Sequence, residues 1–224
     1  MKRVVICIFA LIVLSGCVAR EQFVEKQVYT CTVNPEVSLK INDELNFVAS
    51  FGENKSVYAP DASHIQRKEA YLFAKSTETD TIDKALVITS QQILQEGVAF
   101  ELKCSWWKKE YAFNSEYSKF LNKRSCHVVS IAAPEFFTTL GVDLMDDKVD
   151  VIEGQYYVEL KEIIVGGNRQ ISYTVAYLEK IKHGVSFYSF SDGMSVDELS
   201  KVQREEYEQF LENSRNAFER IQKG

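Results

Sequence analysis

The sequence predicts an α+β fold: antiparallel sheet in meander order, with a long C-terminal amphipathic helix packed on the sheet. Three observations predict it. Two-residue hydrophobic alternation recurs from residue 37 to residue 190, the apolar stripe of the last 30 residues has a helical period, and runs of strands with few intervening helices argue against a doubly wound parallel sheet. Composition agrees, because a chain that is 46% hydrophobic, with 2 Trp, 11 Tyr and 14 Phe, is too apolar to stay disordered.

The elements follow in order. Val37, Leu39 and Ile41 share one parity, Asn42-Asp43-Glu44 supplies turn chemistry, and Leu45, Phe47, Ala49 and Phe51 continue the alternation, which predicts a hairpin. Ala70-Tyr71-Leu72-Phe73 and Ala85-Leu86-Val87-Ile88 flank the polar stretch 76–81, and Phe100 to Trp106 alternates again, giving three neighbouring antiparallel strands. Between Tyr111 and Leu121 the apolar residues Phe113, Tyr117, Phe120 and Leu121 stand three and four apart, the spacing of a short helix. Pro134 and Gly141 bracket a second, two-turn helix.

In the last third Tyr156, Val158 and Leu160 alternate with Tyr157, Glu159 and Lys161, and Gly166-Gly167-Asn168 permits a tight hairpin loop. The returning strand sets Ile171, Tyr173, Val175 and Tyr177 against Ser172, Thr174 and Ala176, and Val185 to Phe190 completes a meander after His183-Gly184. Ser195-Val196-Asp197-Glu198 has the pattern of a capping box. A long helix then carries Val196, Leu199, Val202, Tyr207, Phe210, Leu211, Ala217, Phe218 and Ile221 in one stripe. This strand meander capped by a terminal helix, residues 156–222, resembles the end of PsbP-like domains, an architectural likeness without a motif.

The N-terminus has a different character. Lys2-Arg3 precedes eleven uncharged apolar residues, Val4 to Leu14; a membrane span needs roughly 20, so the segment reads as a secretory signal. Leu14-Ser15-Gly16-Cys17 resembles the lipobox of bacterial lipoproteins. That resemblance implies a diacylglyceryl group on the Cys17 thiol, cleavage of residues 1–16, and acylation of the new amine with a long chain such as palmitate. Val18, where an Asp would favour inner-membrane retention, implies the outer membrane facing the periplasm in a Gram-negative cell. One short acyl chain holds a protein only reversibly, whereas two or three amount to a lasting anchor.

Cleavage removes Lys2 and Arg3, leaving 24 basic against 32 acidic residues and a formal charge of −8. Anionic headgroups repel such a chain, so the lipid on Cys17 does the anchoring. The same balance, without a basic cluster beyond Lys108-Lys109 and Lys123-Arg124, excludes a nucleic-acid partner. Residues 17–27 form a lipidated Cys and short tether. Residues 28–224 read as a single α+β domain, with a subdivision near 133–150 left open.

Cys31, Cys104 and Cys126 remain after the signal and the lipid have claimed Cys7 and Cys17. Export permits disulfides, and Cys104 with Cys126 is the preferred pair, each in a strand-like run. Which of the three pair stays open, and Cys31 also reads as a small core residue.

Two further clusters are candidates for binding. Trp106 and Trp107, with Tyr111 behind them, put one indole on each face of a strand; the parity of Phe100, Leu102 and Cys104 leaves Trp107 exposed, where it would stack on a sugar or anchor a partner. Asp143, Asp146, Asp147 and Asp150 are a weak calcium candidate whose spacing fails the EF-hand pattern, and a solvated acidic connection explains them better. Nucleophile elbow, P-loop, dinucleotide fingerprint and zinc-protease motifs do not occur in the sequence, and no cofactor is called for. Three readings follow: a non-enzymatic lipoprotein that binds an envelope protein or component near the membrane, a glycan or small-ligand binder, and a hydrolase without a recognisable motif.

Overall fold

In the computed structural model the described residues are 22–25, 28–31, 37–58, 63–78, 81–95, 97–100, 112–120, 123–132, 135–140, 152–165, 170–184 and 195–219. Strands β1 (Gln22–Glu25), β2 (Val28–Cys31) and β3 (Val37–Lys40) form a small antiparallel sheet in that order. Strands β4 (Asn46–Tyr58), β5 (Ser63–Ser76), β6 (Ile82–Ile93), β7 (Ala112–Phe120), β8 (Lys123–Ala132), β9 (Tyr156–Val165) and β10 (Ile171–Lys180) form a seven-stranded sheet ordered β4-β5-β6-β10-β9-β8-β7. Helix α1 is Glu135–Leu140, a 3-10 turn covers Val196–Glu198, and helix α2 is Lys201–Glu219.

The chain is therefore α+β and antiparallel, but the order is not one meander. Two meanders, β4-β5-β6 and β7-β8-β9-β10, join where β6 pairs with β10, Thr89 opposite Thr174 and Val87 opposite Ala176. The third strand expected at 185–190 lies outside the described residues, and the place beside β10 is taken by β6. The 100–106 strand expected beside β6 is likewise displaced by β10; residues 98–100 are irregular and 101–106 lie outside the described residues.

Three local expectations are corrected. The helix at Tyr111–Leu121 is strand β7, in register with β8 from Phe120 opposite Lys123 to Ala112 opposite Ser130. Backbone pairing along a partner strand overrides a four-residue apolar spacing, which is only a weak helix signal over one or two turns.

The hairpin from 37 to 51 does not form: β3 pairs with β2 and β4 with β5. The intervening turn exists, with the Leu45 amide donating to the Asn42 carbonyl at 2.9 Å, and it passes the chain from the small sheet to the large one. A register shift between Phe47 and Ala49 then reverses the parity of β4, so Leu45 enters one core and Ala49 the other.

The capping box forms at Ser195 and Glu198, as expected, but it frames the 3-10 turn rather than the long helix. Helix α2 is capped by Ser200: the Gln203 amide donates to Ser200 Oγ at 3.4 Å and the Ser200 amide to Gln203 Oε1 at 2.9 Å.

Both faces of the large sheet are buried, which is why β6 reads as a continuous apolar run. On one face Phe73, Ile88, Tyr157, Tyr173, Val175 and Tyr177 pack with Tyr207, Phe210 and Ala217 of α2 and with Tyr29, Ile41 and Leu45 from the N-terminal side. Phe210 stacks on Tyr157 at 5.3 Å and on Tyr177 at 6.0 Å between ring centres. Val202, expected in that stripe, is 48% exposed, because the helix begins only one residue before it. Tyr29 of β2 meets Tyr71 edge-on at 5.0 Å. Part of the expected tether, Gln22–Glu25, is thus strand in a sheet that contributes to the core.

The opposite face is built from Leu72, Val87, Val158, Leu160 and Leu178 with many alanines, and α1 covers it through Phe137 and Leu140. Small side chains at Ala70, Ala74, Ala85 and Ala176 leave room for a short helix to lie close. Tyr156 fixes one end, its ring 5.0 Å from that of Phe137 and its hydroxyl donating to the Ile82 carbonyl at 2.9 Å.

Candidate functional site under helix α1

The face beneath α1 changes character along the strands. Leu160, Ala176 and Val87 stand opposite one another across β9, β10 and β6; two residues further on, the same three positions are Glu162, Thr174 and Thr89. Ser172 and Gln91 form the next row. A chain that buries both sheet faces has therefore placed a carboxyl at the centre of one of them, in three adjacent strands spaced about 4.8 Å apart.

Thr89, Gln91, Glu162 and Thr174, with Phe136, Leu140 and Leu160, line a cavity of about 20 Å³, room for one water-sized group. Its position is set by two hydrogen bonds. Thr89 Oγ1 donates to the Leu140 carbonyl at 3.1 Å, tying the end of α1 to the sheet, and Ser172 Oγ donates to Glu162 Oε1 at 3.0 Å. Gln66 Nε2 donates to Gln91 Oε1 at 2.5 Å and closes one margin.

Glu162 is 8% exposed. Burial pushes its carboxyl above the ordinary glutamate range, and the bond from Ser172 offsets part of that rise. Among the described residues lining the cavity none is basic. Ser172 supplies the one hydrogen bond that Glu162 receives from the described residues, and its second oxygen is not among the buried atoms sealed without a partner. The arrangement offers an uncompensated carboxyl, two threonine hydroxyls and an apolar wall.

Buried Glu69 and partly buried Glu179 each face a cation, although Glu69 Oε2 is itself buried without a partner. Glu69 takes Arg67 Nε at 2.6 Å and Nη2 at 2.5 Å on one oxygen. Glu179 receives the Tyr177 hydroxyl, Asn213 and Lys84. Among the described residues no group of three or more His, Cys, Asp or Glu side chains could hold a metal, and no helix is long and apolar enough to cross a membrane.

Few residues singled out from the sequence fall in this region. Cys17, Cys104, Trp106, Trp107, Tyr111, Asp143, Asp146, Asp147 and Asp150 lie outside the described residues. Cys31 belongs to β2 and Cys126 to β8, where Cys126 stands in register between Tyr117 and Glu162. The residues of the cavity were not anticipated. The available signal was parity: Glu162 continues the series Tyr156, Val158, Leu160 and is followed by Ile164, so it is a charge on an apolar face.

No protein-family model matches the chain, and no curated protein or solved structure is significantly similar to it.

Proposed function

We propose that the chain is an exported lipoprotein, anchored by lipid on Cys17 in the cell envelope, whose domain is a non-enzymatic binding module. It receives a small polar group of an envelope component in the cavity at Glu162. The observation that carries the binding reading is the uncompensated carboxyl of Glu162 beside Thr89, Thr174 and the apolar wall of α1. A carboxyl held only by Ser172 adds little to stability, since an apolar residue at that position would spare its desolvation. It is better explained by what it meets. The lipobox resemblance, the charged n-region and the short apolar run support the anchor.

The four residues between Cys17 and β1 let the chain span at most about 18 Å when extended, which keeps the domain beside the bilayer. In a Gram-negative cell the outer membrane, facing the periplasm, is the favoured address.

The test is recovery of the full-length protein from solubilised membranes, followed by mass spectrometry under non-denaturing conditions. The wild type should carry a small bound molecule that Glu162→Gln lacks, and Cys17→Ala should leave the membrane fraction while remaining folded. Cys17→Ala retained tightly on membranes contradicts the anchor, and an empty wild type contradicts the binding reading.

A second reading, a protein partner, is favoured by Ile65 and Leu94. They are 52% and 50% exposed, and the Leu94 amide donates to the Ile65 carbonyl at 3.0 Å, one strand from the terminal strand β4. An Ile65→Lys exchange that leaves the fold intact should abolish such a complex.

A further inference from the structure

We infer that the cavity at Glu162 takes the head of a primary alkylammonium group, with the ammonium inside on Glu162 and the methylenes leading out of the cavity past its apolar side. The inference rests on the binding reading above and names the chemical class of its ligand.

The size of the cavity decides against most alternatives. About 20 Å³ admits a head group no larger than a water molecule; an ammonium fits, whereas a planar guanidinium or a sugar ring does not. Charge decides next. Among the described residues the lining contains a carboxyl and no base, so an anion would face Glu162, while a cation gains a partner at low local dielectric.

Hydrogen bonding agrees. The Thr89 hydroxyl spends its proton on the Leu140 carbonyl and Ser172 spends its proton on Glu162. What Thr89 and Glu162 present to the cavity is therefore lone pairs. An ammonium brings three donors and no acceptor, which matches the lone pairs of Thr89 and Glu162. The apolar side, supplied by Phe136 and Leu140 of α1 and by Leu160 next to Glu162 on β9, suits a methylene chain rather than a second polar group.

The experiment uses the full-length chain in detergent micelles, with the methyl resonances of Thr89 and Thr174 followed by NMR during titration with n-butylammonium chloride, 1-pentanol or potassium chloride. The two organic probes have similar length and differ in charge. The inference expects saturable shifts with n-butylammonium, an affinity at least about tenfold weaker in Glu162→Gln, and a weaker response to 1-pentanol, because a charge-assisted bond is roughly twice as strong as a neutral one. Thr174→Val, close in shape, should weaken binding by a smaller factor.

If 1-pentanol or potassium matches n-butylammonium, the ammonium assignment is overturned while a binding cavity remains. If none of the three shifts either methyl, both the assignment and the binding reading fall. Should Glu162→Gln not fold, the comparison of the two organic probes on the wild type decides alone.

Discussion

Asn213 on α2 donates to Glu179 on β10 across 2.9 Å, and the same carboxylate oxygen accepts the Tyr177 hydroxyl at 2.5 Å and lies 3.1 Å from Lys84 Nζ on β6. One oxygen thereby joins the C-terminal helix to two neighbouring strands. Lys84 also reaches Glu44, at 3.6 Å, in the turn that leads into β4.

Lys84→Met should destabilise the fold by about 1–2 kcal/mol, because Glu179 would lose its cation in a partly buried site while solvent still screens the pair. Burial lowers the Lys84 pKa, but Glu179 and Glu44 outweigh it, so the ammonium titrates above its ordinary value. Its contribution is present at neutral pH and is lost only as pH rises through that raised value. Lys75→Met, at a side chain 48% exposed, should change stability by less than about 0.5 kcal/mol. Chemical denaturation of both variants checks the ordering; equal effects contradict it.

The aromatic stack predicts a pair of opposite outcomes. Phe210 is fully buried between Tyr157 and Tyr177, and Phe210→Ala should cost about 3–5 kcal/mol. Tyr157 keeps its ring in the same stack, but its hydroxyl is buried without a partner and burial pushes its pKa up. Tyr157→Phe should be neutral or stabilising by up to about 1 kcal/mol. A large loss for Tyr157→Phe in thermal unfolding would place a hydrogen bond on that hydroxyl.

The two serines before α2 separate a sequence pattern from a working cap. Ser200→Ala should cost about 1 kcal/mol, since it removes the acceptor for the Gln203 amide. Ser195→Ala should cost less, about a few tenths, because Ser195 frames only the three-residue 3-10 turn and not the long helix. The reverse order in denaturant melts would move the start of the helix back to Ser195.

Glu162 gives a prediction with a defined pH dependence. Its folded-state pKa lies above its unfolded value, so the folded protein holds a proton that the unfolded chain releases. Stability from this site is greatest below the ordinary carboxylate range and declines as pH rises through the folded value. Glu162→Gln cannot ionise, so its stability relative to wild type should grow from acidic to neutral pH. A difference that shrinks with rising pH would mean that Glu162 is stabilised as the anion.

The α+β class, the β9–β10 hairpin and the packing of α2 on the sheet were legible because Tyr173, Val175, Tyr177, Tyr207 and Phe210 keep strict strand or helix periods. The strand order was not, since nothing local in Thr89 or Thr174 says that β6 meets β10 across 85 residues of chain rather than a nearer strand. β7 was misread because Phe113, Tyr117 and Phe120 fit a helical spacing over a length at which helix and strand patterns overlap. The hairpin expected at 37–51 failed on the register shift between Phe47 and Ala49, which no period reveals. Glu162 stood in plain view as a charge among Val158, Leu160 and Ile164; its cavity depends on α1 arriving from residues 135–140, which parity alone does not foretell.

The most direct measurement is the carboxyl ¹³C resonance of Glu162 followed against pH in the full-length protein, with and without n-butylammonium chloride. The expected midpoint lies above the ordinary glutamate range and falls when the amine is present. A midpoint within the ordinary range, or one that the amine leaves unmoved, would contradict that expectation.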